Sequence, residues 1–208
     1  MAFDGDDQVD GLSGFLMVSL KPGNISNSSN SDHAVQTSRH ATIRNNLVPL
    51  KIVIFIWRVL KRRIPVCTEI DKRGIDLDSV RCPLCDDDVE SIDHALFFCR
   101  HSMDIWERVY KWWNLGSVTN LSVNEAFRGN ANRTLTNLGS RIWQALEWTC
   151  GYLMWKNWNN KVFGNKCWSG PTALMEIQLK SFEWISAHVK DRKIDWLDWM
   201  SNPLNYCI

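Results

Sequence analysis

The chain has 208 residues, 45% hydrophobic and 23% charged, enough apolar material for one or two globular domains with a core. Twenty-four Lys and Arg against 23 Asp and Glu leave a formal net charge of +1, so bulk electrostatics select no partner and any basic footprint has to be local. The best apolar run, Ile52 to Trp57, is far short of the ~20 residues of a membrane span, and the start, with Asp4, Asp6, Asp7 and Asp10 ahead of Lys21, is the reverse of a secretory leader.

The chain is therefore expected inside the cell, in nucleus or cytoplasm, with no membrane partner and no secretion. Cysteines in that compartment stay reduced, and clusters of them read as metal sites before disulfides. Two counts then ask for an explanation: twelve Trp and seven Cys.

In chain order, residues 1–45 open acidic and continue through Pro22-Gly23 into an Asn/Ser-rich stretch to Ser31. So little apolar surface cannot offset the entropy of ordering, and a disordered tail is expected. From Pro49 the texture changes: Leu50, Ile54 (or Val53), Trp57, Leu60 and Ile64 recur at helical steps, with Arg58, Lys61 and Arg62 opposite, and Pro65 ends the run. The β-branched Ile52-Val53-Ile54 would also suit a strand, but alternation fails after Trp57. A short helix is expected from Thr68 to Gly74. A longer one should run from Asp93 to about Asn114, with Cys99, Met103, Trp106, Val109 or Tyr110, and Trp113 on its apolar stripe.

Residues 116–139 read as a polar linker, with a short helix around Val123 to Phe127. Ser140 opens the longest periodic run, carrying Trp143, Leu146, Cys150, Leu153 or Met154, Trp158 and Val162 on one face up to Gly164. After Ser169-Gly170-Pro171 another helix passes through Met175, Leu179, Phe182, Ile185 and Val189. The tail from Trp196 to Leu204 should pack back onto the helices. The fold class expected is mainly α: a small zinc-stabilised helical module at 46–115 and a Trp-rich helical extension at 140–208, after a disordered tail.

The chemistry sits in Cys82-Pro83-Leu84-Cys85, followed by His94 and Cys99. Two cysteines spaced by two aim their thiolates at one centre, and the later His and Cys complete a tetrahedron. Thiolate and imidazole suit one Zn²⁺, and four protein ligands leave no open position for water, so the site is structural rather than catalytic. His101, two residues after Cys99, is the poorer fourth donor on spacing. Cys67, Cys150, Cys167 and Cys207 share no comparable spacing and read as ordinary thiols.

Charge is the second feature. Ten Lys or Arg stand against four acids between Arg39 and Arg81, a local balance of +6. Arg58, Lys61, Arg62, Arg63, Lys72 and Arg73 are the candidate nucleic-acid contacts, because a basic helix face beside a zinc knuckle can meet phosphates while aromatic neighbours stack bases. The alternative is a solvated helix face. Nucleophile-elbow, phosphate-loop and dinucleotide motifs are missing, and the pairs Asp76/Asp78 and Asp195/Asp198 lack the company two-metal catalysis needs. The isolated chain is thus not expected to be an enzyme or to take a small-molecule substrate.

The run Ile54-Phe55-Ile56-Trp57-Arg58-Val59-Leu60, then Arg63-Ile64-Pro65, Lys72-Arg73-Gly74-Ile75, Cys82-Pro83-Leu84-Cys85 and Glu90-Ser91-Ile92-Asp93-His94-Ala95-Leu96-Phe97-Phe98-Cys99 with Trp106 resembles the zinc-binding domain that follows the reverse transcriptase domain of plant LINE-type (non-LTR) retrotransposons. The resemblance covers about residues 45–115, and Trp143 to Pro203 is similar to the C-terminal extension of many plant copies. It implies a zinc-binding, nucleic-acid-contacting module of an RNA-directed DNA polymerase, with RNA or DNA and the polymerase body as partners and with Cys82, Cys85, His94 and Cys99 as ligands. The Tyr/Phe-x-Asp-Asp polymerase motif is absent, so the resemblance implies a detached C-terminal fragment. The rival readings are a protein-interaction module using its tryptophan surface, and a retroelement relic. Trp57, Trp106, Trp113, Trp143 and Trp158 are expected in the core, while Trp112, Trp148, Trp155 and Trp184 lie off the stripes and are the stacking candidates.

Overall fold

Nine apolar side chains in the eleven residues Leu50–Leu60 force that segment to bury one side of a helix, and the helix, α1, is present in the computed structural model, which describes residues 44–116, 122–128, 135–164, 166–190 and 192–207. The rest of the tail expected to be disordered lies outside the described residues. Asn45, at its end, is buried and bonded to the Arg141 carbonyl at 2.8 Å and to Gln144 Oε1 at 3.2 Å, so the ordered chain starts earlier than expected.

After α1 come α2 (Cys67–Asp71), a π-helical turn (His94–Phe98), α3 (Arg100–Trp112), α4 (Val123–Phe127), α5 (Asn137–Gly164), α6 (Gly170–His188), α7 (Trp196–Ser201) and a 3₁₀ turn (Pro203–Tyr206). No strand occurs among the described residues; an isolated antiparallel bridge joins Arg81 and Val89. The mainly α expectation holds. No helix of the described residues is long and apolar enough to cross a membrane.

The buried face of α1 is Ile52, Phe55, Ile56 and Val59, not the expected stripe. Leu50, Ile54 and Trp57 point outward at 71%, 44% and 41% exposure. Both sets keep helical spacing, and in so apolar a helix the period alone cannot choose between them; contact with α4 and α5 does. α1 ends at Leu60 rather than running on to Pro65. Arg63 N–H bonds the Arg58 carbonyl (2.8 Å) and Arg62 N–H the Val59 carbonyl (2.9 Å), a Schellman closure with Arg62 in the left-handed region at φ 51°.

α5 is the axis of the fold. It begins at Asn137, three residues before the expected start, because Thr136 Oγ1 accepts from Gly139 N–H at 3.0 Å. Its 28 residues make a rod of about 42 Å, packed against α1, α4, the π turn and α6. Burial therefore runs round the helix rather than along one stripe: Trp148, Thr149 and Gly151 are buried as well as Trp143, Leu146 and Cys150, whereas Val162 at the end of the expected stripe is exposed. Glu147 sits in this core, where burial pushes its carboxyl well above the ordinary range and favours the neutral form. Gly139 and Gly151 are needed for close approach, since a Cβ on the first would strike the Cys207 carbonyl and one on the second would lie 2.5 Å from Phe127 Cζ.

α6 begins at the expected Ser169 cap, whose Oγ accepts from Thr172 N–H. It buries Ala173, Ile177, Gln178, Ser181 and Ile185, while Met175 and Leu179 are exposed, a second stripe displaced from the expected one. The tail packs back as expected. Asp195 caps α7, and buried Trp199 meets Trp113 and Trp112 edge to face, with centroids 6.0 and 5.8 Å apart. One hydrophobic core thus contains residues from Leu47 to Cys207.

Candidate metal centre

Cys82 and Cys85 stand on a tight loop. Cys82 N–H bonds the Asp88 carbonyl and Glu90 N–H the Val80 carbonyl, both at 2.8 Å, framing the Arg81–Val89 bridge, and Asp86 N–H returns to the Cys82 carbonyl at 2.8 Å. Asp86 takes φ 58°, a left-handed position that Asp tolerates better than most residues. Arg81 donates to the Asp86 carbonyl (2.9 Å) and Arg100 to the Cys85 carbonyl (3.2 Å), which pins the loop from two sides.

His94 and Cys99 come from a different device than expected. The helix that should run unbroken from Asp93 is interrupted: His94–Phe98 is a π turn, Cys99 is extended (φ −63°, ψ 135°), and α3 starts at Arg100 with Met103 exposed. The bond that makes the turn, Cys99 N–H to the His94 carbonyl at 2.7 Å, spans five residues. An α-helix turns 500° over five residues and would splay the pair, whereas an i→i+5 turn brings them back to one side, so the ligand spacing and the π geometry are the same fact.

The donor atoms of Cys82, Cys85, His94 and Cys99 all lie within 4.8 Å of one another, and all four residues are buried. Cys82 Sγ is 3.9 Å from Cys99 Sγ, and Cys85 Sγ is 3.3 Å from His94 Nε2. Tetrahedral zinc with sulfur ligands at ~2.3 Å sets sulfurs about 3.8 Å apart and sulfur and nitrogen about 3.5 Å apart. Three thiols and an imidazole at these separations, closed to solvent, fit one structural Zn²⁺. His101 lies on α3 outside the cluster.

The electrostatics suit the same reading. Without metal, the Cys82 thiol hydrogen-bonds Cys99 Sγ, which raises Cys82 and lowers Cys99. Burial pushes His94 below its ordinary value, against the pull of Asp88 and Asp87, so the neutral, metal-ligating imidazole is favoured. Asp88 Oδ2 approaches Nδ1 of the same ring at 3.6 Å, while Asp87 pairs with Arg100 at 3.4 Å. The acidic loop is thus more than solvated filler. A His four to eight residues from a carboxylate was its only trace in the sequence.

A second missed group is Glu90, completely buried, whose Oε2 accepts from the Cys67 thiol at 2.6 Å and from Cys67 N–H at 3.3 Å. With Thr68 N–H on the Glu90 carbonyl (3.2 Å), it binds the start of α2 to the zinc loop. Cys67 is therefore no ordinary thiol: burial first, then Glu90, push it up to about 12, and burial raises Glu90 to about 6.

All six basic candidates are exposed. Arg58, Lys61, Arg62 and Arg63 gather at the end of α1, with Arg62 paired to Asp93 at 3.0 Å and the Arg63 guanidinium 5.5 Å from the Trp57 ring centroid. Lys72 pairs with Glu69 at 2.9 Å at the end of α2. No recorded contact among the described residues joins Lys72 or Arg73 to the α1 group. The tryptophans invert one expectation: Trp57 is exposed rather than core, and Trp148 is core, its Nε1 donating to the Phe127 carbonyl at 3.0 Å. Trp106, Trp113, Trp143 and Trp158 are buried as expected. Trp112, Trp155 and Trp184 are half-buried against the core.

No curated protein and no solved structure matches the chain. A family model does: residues 25–106, which carry all four donors, match the family described as zinc-binding in reverse transcriptase.

Proposed function

We propose that the chain is the zinc-ordered, nucleic-acid-contacting module of a retrotransposon RNA-directed DNA polymerase of the plant LINE type (non-LTR), separated from the polymerase catalytic core and acting in the nucleus or cytoplasm. The observation that carries this reading is the buried Cys₃His cluster inside the reverse transcriptase zinc-binding match. The zinc supplies folding energy by joining the knuckle loop to the π turn, as closed sites do. It leaves chemistry to other parts of such a polymerase.

The nucleic-acid role is supported by exposed cations at the end of α1, where no acid occurs between Pro49 and Thr68. Each phosphate contact releases a counterion, so binding has to weaken with salt. The test is the affinity of the zinc-loaded chain for a single-stranded RNA oligomer at several salt concentrations. Replacing Lys61, Arg62 and Arg63 by Gln should weaken binding and flatten the salt slope by about two, at roughly 0.7 per phosphate lost. Binding that ignores salt, or survives the triple replacement, rejects the basic face as a contact. The rival interaction module relied on a tryptophan surface, and the buried positions of most C-terminal indoles remove much of its basis.

A further inference from the structure

The exposed row Leu50, Ile54 and Trp57 runs along the side of α1 opposite its buried face, and Lys61 follows Trp57 by four residues, about one turn, at the helix cap. A large indole left 41% exposed gives up burial it could have had, and this one is also held still. The Schellman closure turns the chain back so that Arg63 covers the Trp57 ring at 5.5 Å. That closure places Arg62, a non-glycine, at φ 51°, a conformation costly for any side chain with a Cβ, and Asp93 grips the Arg62 guanidinium at 3.0 Å. A strained residue kept in place to set a cation on an exposed aromatic ring is a reason to look for a ligand.

We infer that Trp57, steadied by Arg63, is a stacking platform for one unpaired base of a single-stranded polynucleotide, with Lys61 and Arg58 reaching the flanking phosphates. This rests on the nucleic-acid reading above and names both the strand state and the residue that selects it. An indole face stacks on any base once that base is free of its duplex neighbours, while duplex presents only phosphates to such a surface. The ligand has to be an anion, because Lys51, Arg58, Lys61 and Arg63 surround the row and no acid lies on α1. A protein helix could cover the apolar row but would leave these cations without counter-charge.

Anisotropy of a fluorescein-labelled 12-mer of uridine, a 12-mer of thymidine and a 12-base-pair duplex, titrated with the full zinc-loaded chain, tests the assignment. Trp57→Ala should weaken binding to both single strands about 5- to 100-fold, leave the duplex within twofold and keep the salt slope, whereas Trp57→Phe should retain most of the affinity. Lys61→Gln should weaken single strand and duplex alike. Equal losses on single strand and duplex for Trp57→Ala, or no loss on either, overturn the stacking inference while leaving the nucleic-acid reading intact. A wild-type chain that binds none of the three probes overturns both. If it instead self-associates through a contact that Trp57→Ala abolishes, the row is a protein interface and the inference fails.

Discussion

Asp88 Oδ2 lies 3.6 Å from Nδ1 of His94, on the opposite side of the ring from the Nε2 that stands 3.3 Å from Cys85 Sγ. A carboxylate there holds the proton on Nδ1 and leaves Nε2 free to ligate, the usual support of a metal-bound histidine. Asp88→Ala should lower zinc affinity about tenfold, the low end of such effects, because the Asp88 side chain is largely exposed. Competition with a chromogenic chelator would measure it, with Asp87→Ala, whose partner is Arg100, as the comparison. Equal affinities for wild type and Asp88→Ala would deny Asp88 its orienting role.

Zinc should be a condition of local folding. Protein purified without a metal-binding tag is expected to carry close to one equivalent, and Cys85→Ser to lose most of it together with helicity. The π turn and the start of α3 are tied to the ligands through the Cys99–His94 bond. Metal analysis and circular dichroism read both. Less than half an equivalent in the wild type, or unchanged helicity in Cys85→Ser, would contradict a structural zinc.

Glu90 should impose a pH dependence. Burial raises its carboxyl from 4.5 to about 6, so between those values the folded chain holds more proton than the unfolded one. Stability from this group therefore falls as pH rises from 4.5 through 6, by about 2 kcal/mol, and is flat above. Urea unfolding of wild type and Glu90→Gln at pH 4.5 and 7 isolates the effect as a double difference, since acid release of zinc is common to both proteins. A double difference near zero would show that Glu90 titrates normally.

Gly151 on α5 faces buried Phe127 on α4, and a Cβ there would lie 2.5 Å from the ring. Gly151→Ala should cost about 1–3 kcal/mol by overpacking. Gly164→Ala, with nothing within 4 Å of the new Cβ, should be neutral or gain up to about 1 kcal/mol from helix propensity. Thermal unfolding checks the contrast, at roughly 2–4 °C per kcal/mol for a chain of this size. Similar melting temperatures for the two variants would mean that α4 yields to the methyl group.

Much of this was legible without coordinates, and for local reasons. The Cys82-x-x-Cys85, His94 and Cys99 spacing encodes a donor set whatever surrounds it. The Ser169 cap and the Gly164 stop act within one turn of the chain, and both ends lie where the residues imply. The break at Cys99 was not legible, because a five-residue ligand spacing on an apolar run resembles a helix until the i→i+5 bond is seen. Glu90 and Asp88 were missed because an acid in sequence looks solvated; only the fold buries the first against Cys67 and turns the second toward His94.

The sequence by itself determined that a metal would be held, by which four side chains, and that helices would surround it, since ligand chemistry and helical period are properties of residues close along the chain. Tertiary structure decided which side of each helix is inside. On α1, two apolar rows satisfy the same period, and contact with α4 and α5 buries Ile52, Phe55, Ile56 and Val59 and turns Trp57 outward. On α5, neighbours on several sides draw Trp148 and Glu147 into the core along with the expected stripe. Burial is set by what packs against a surface, and that partner lies up to a hundred residues away, beyond the reach of any local pattern.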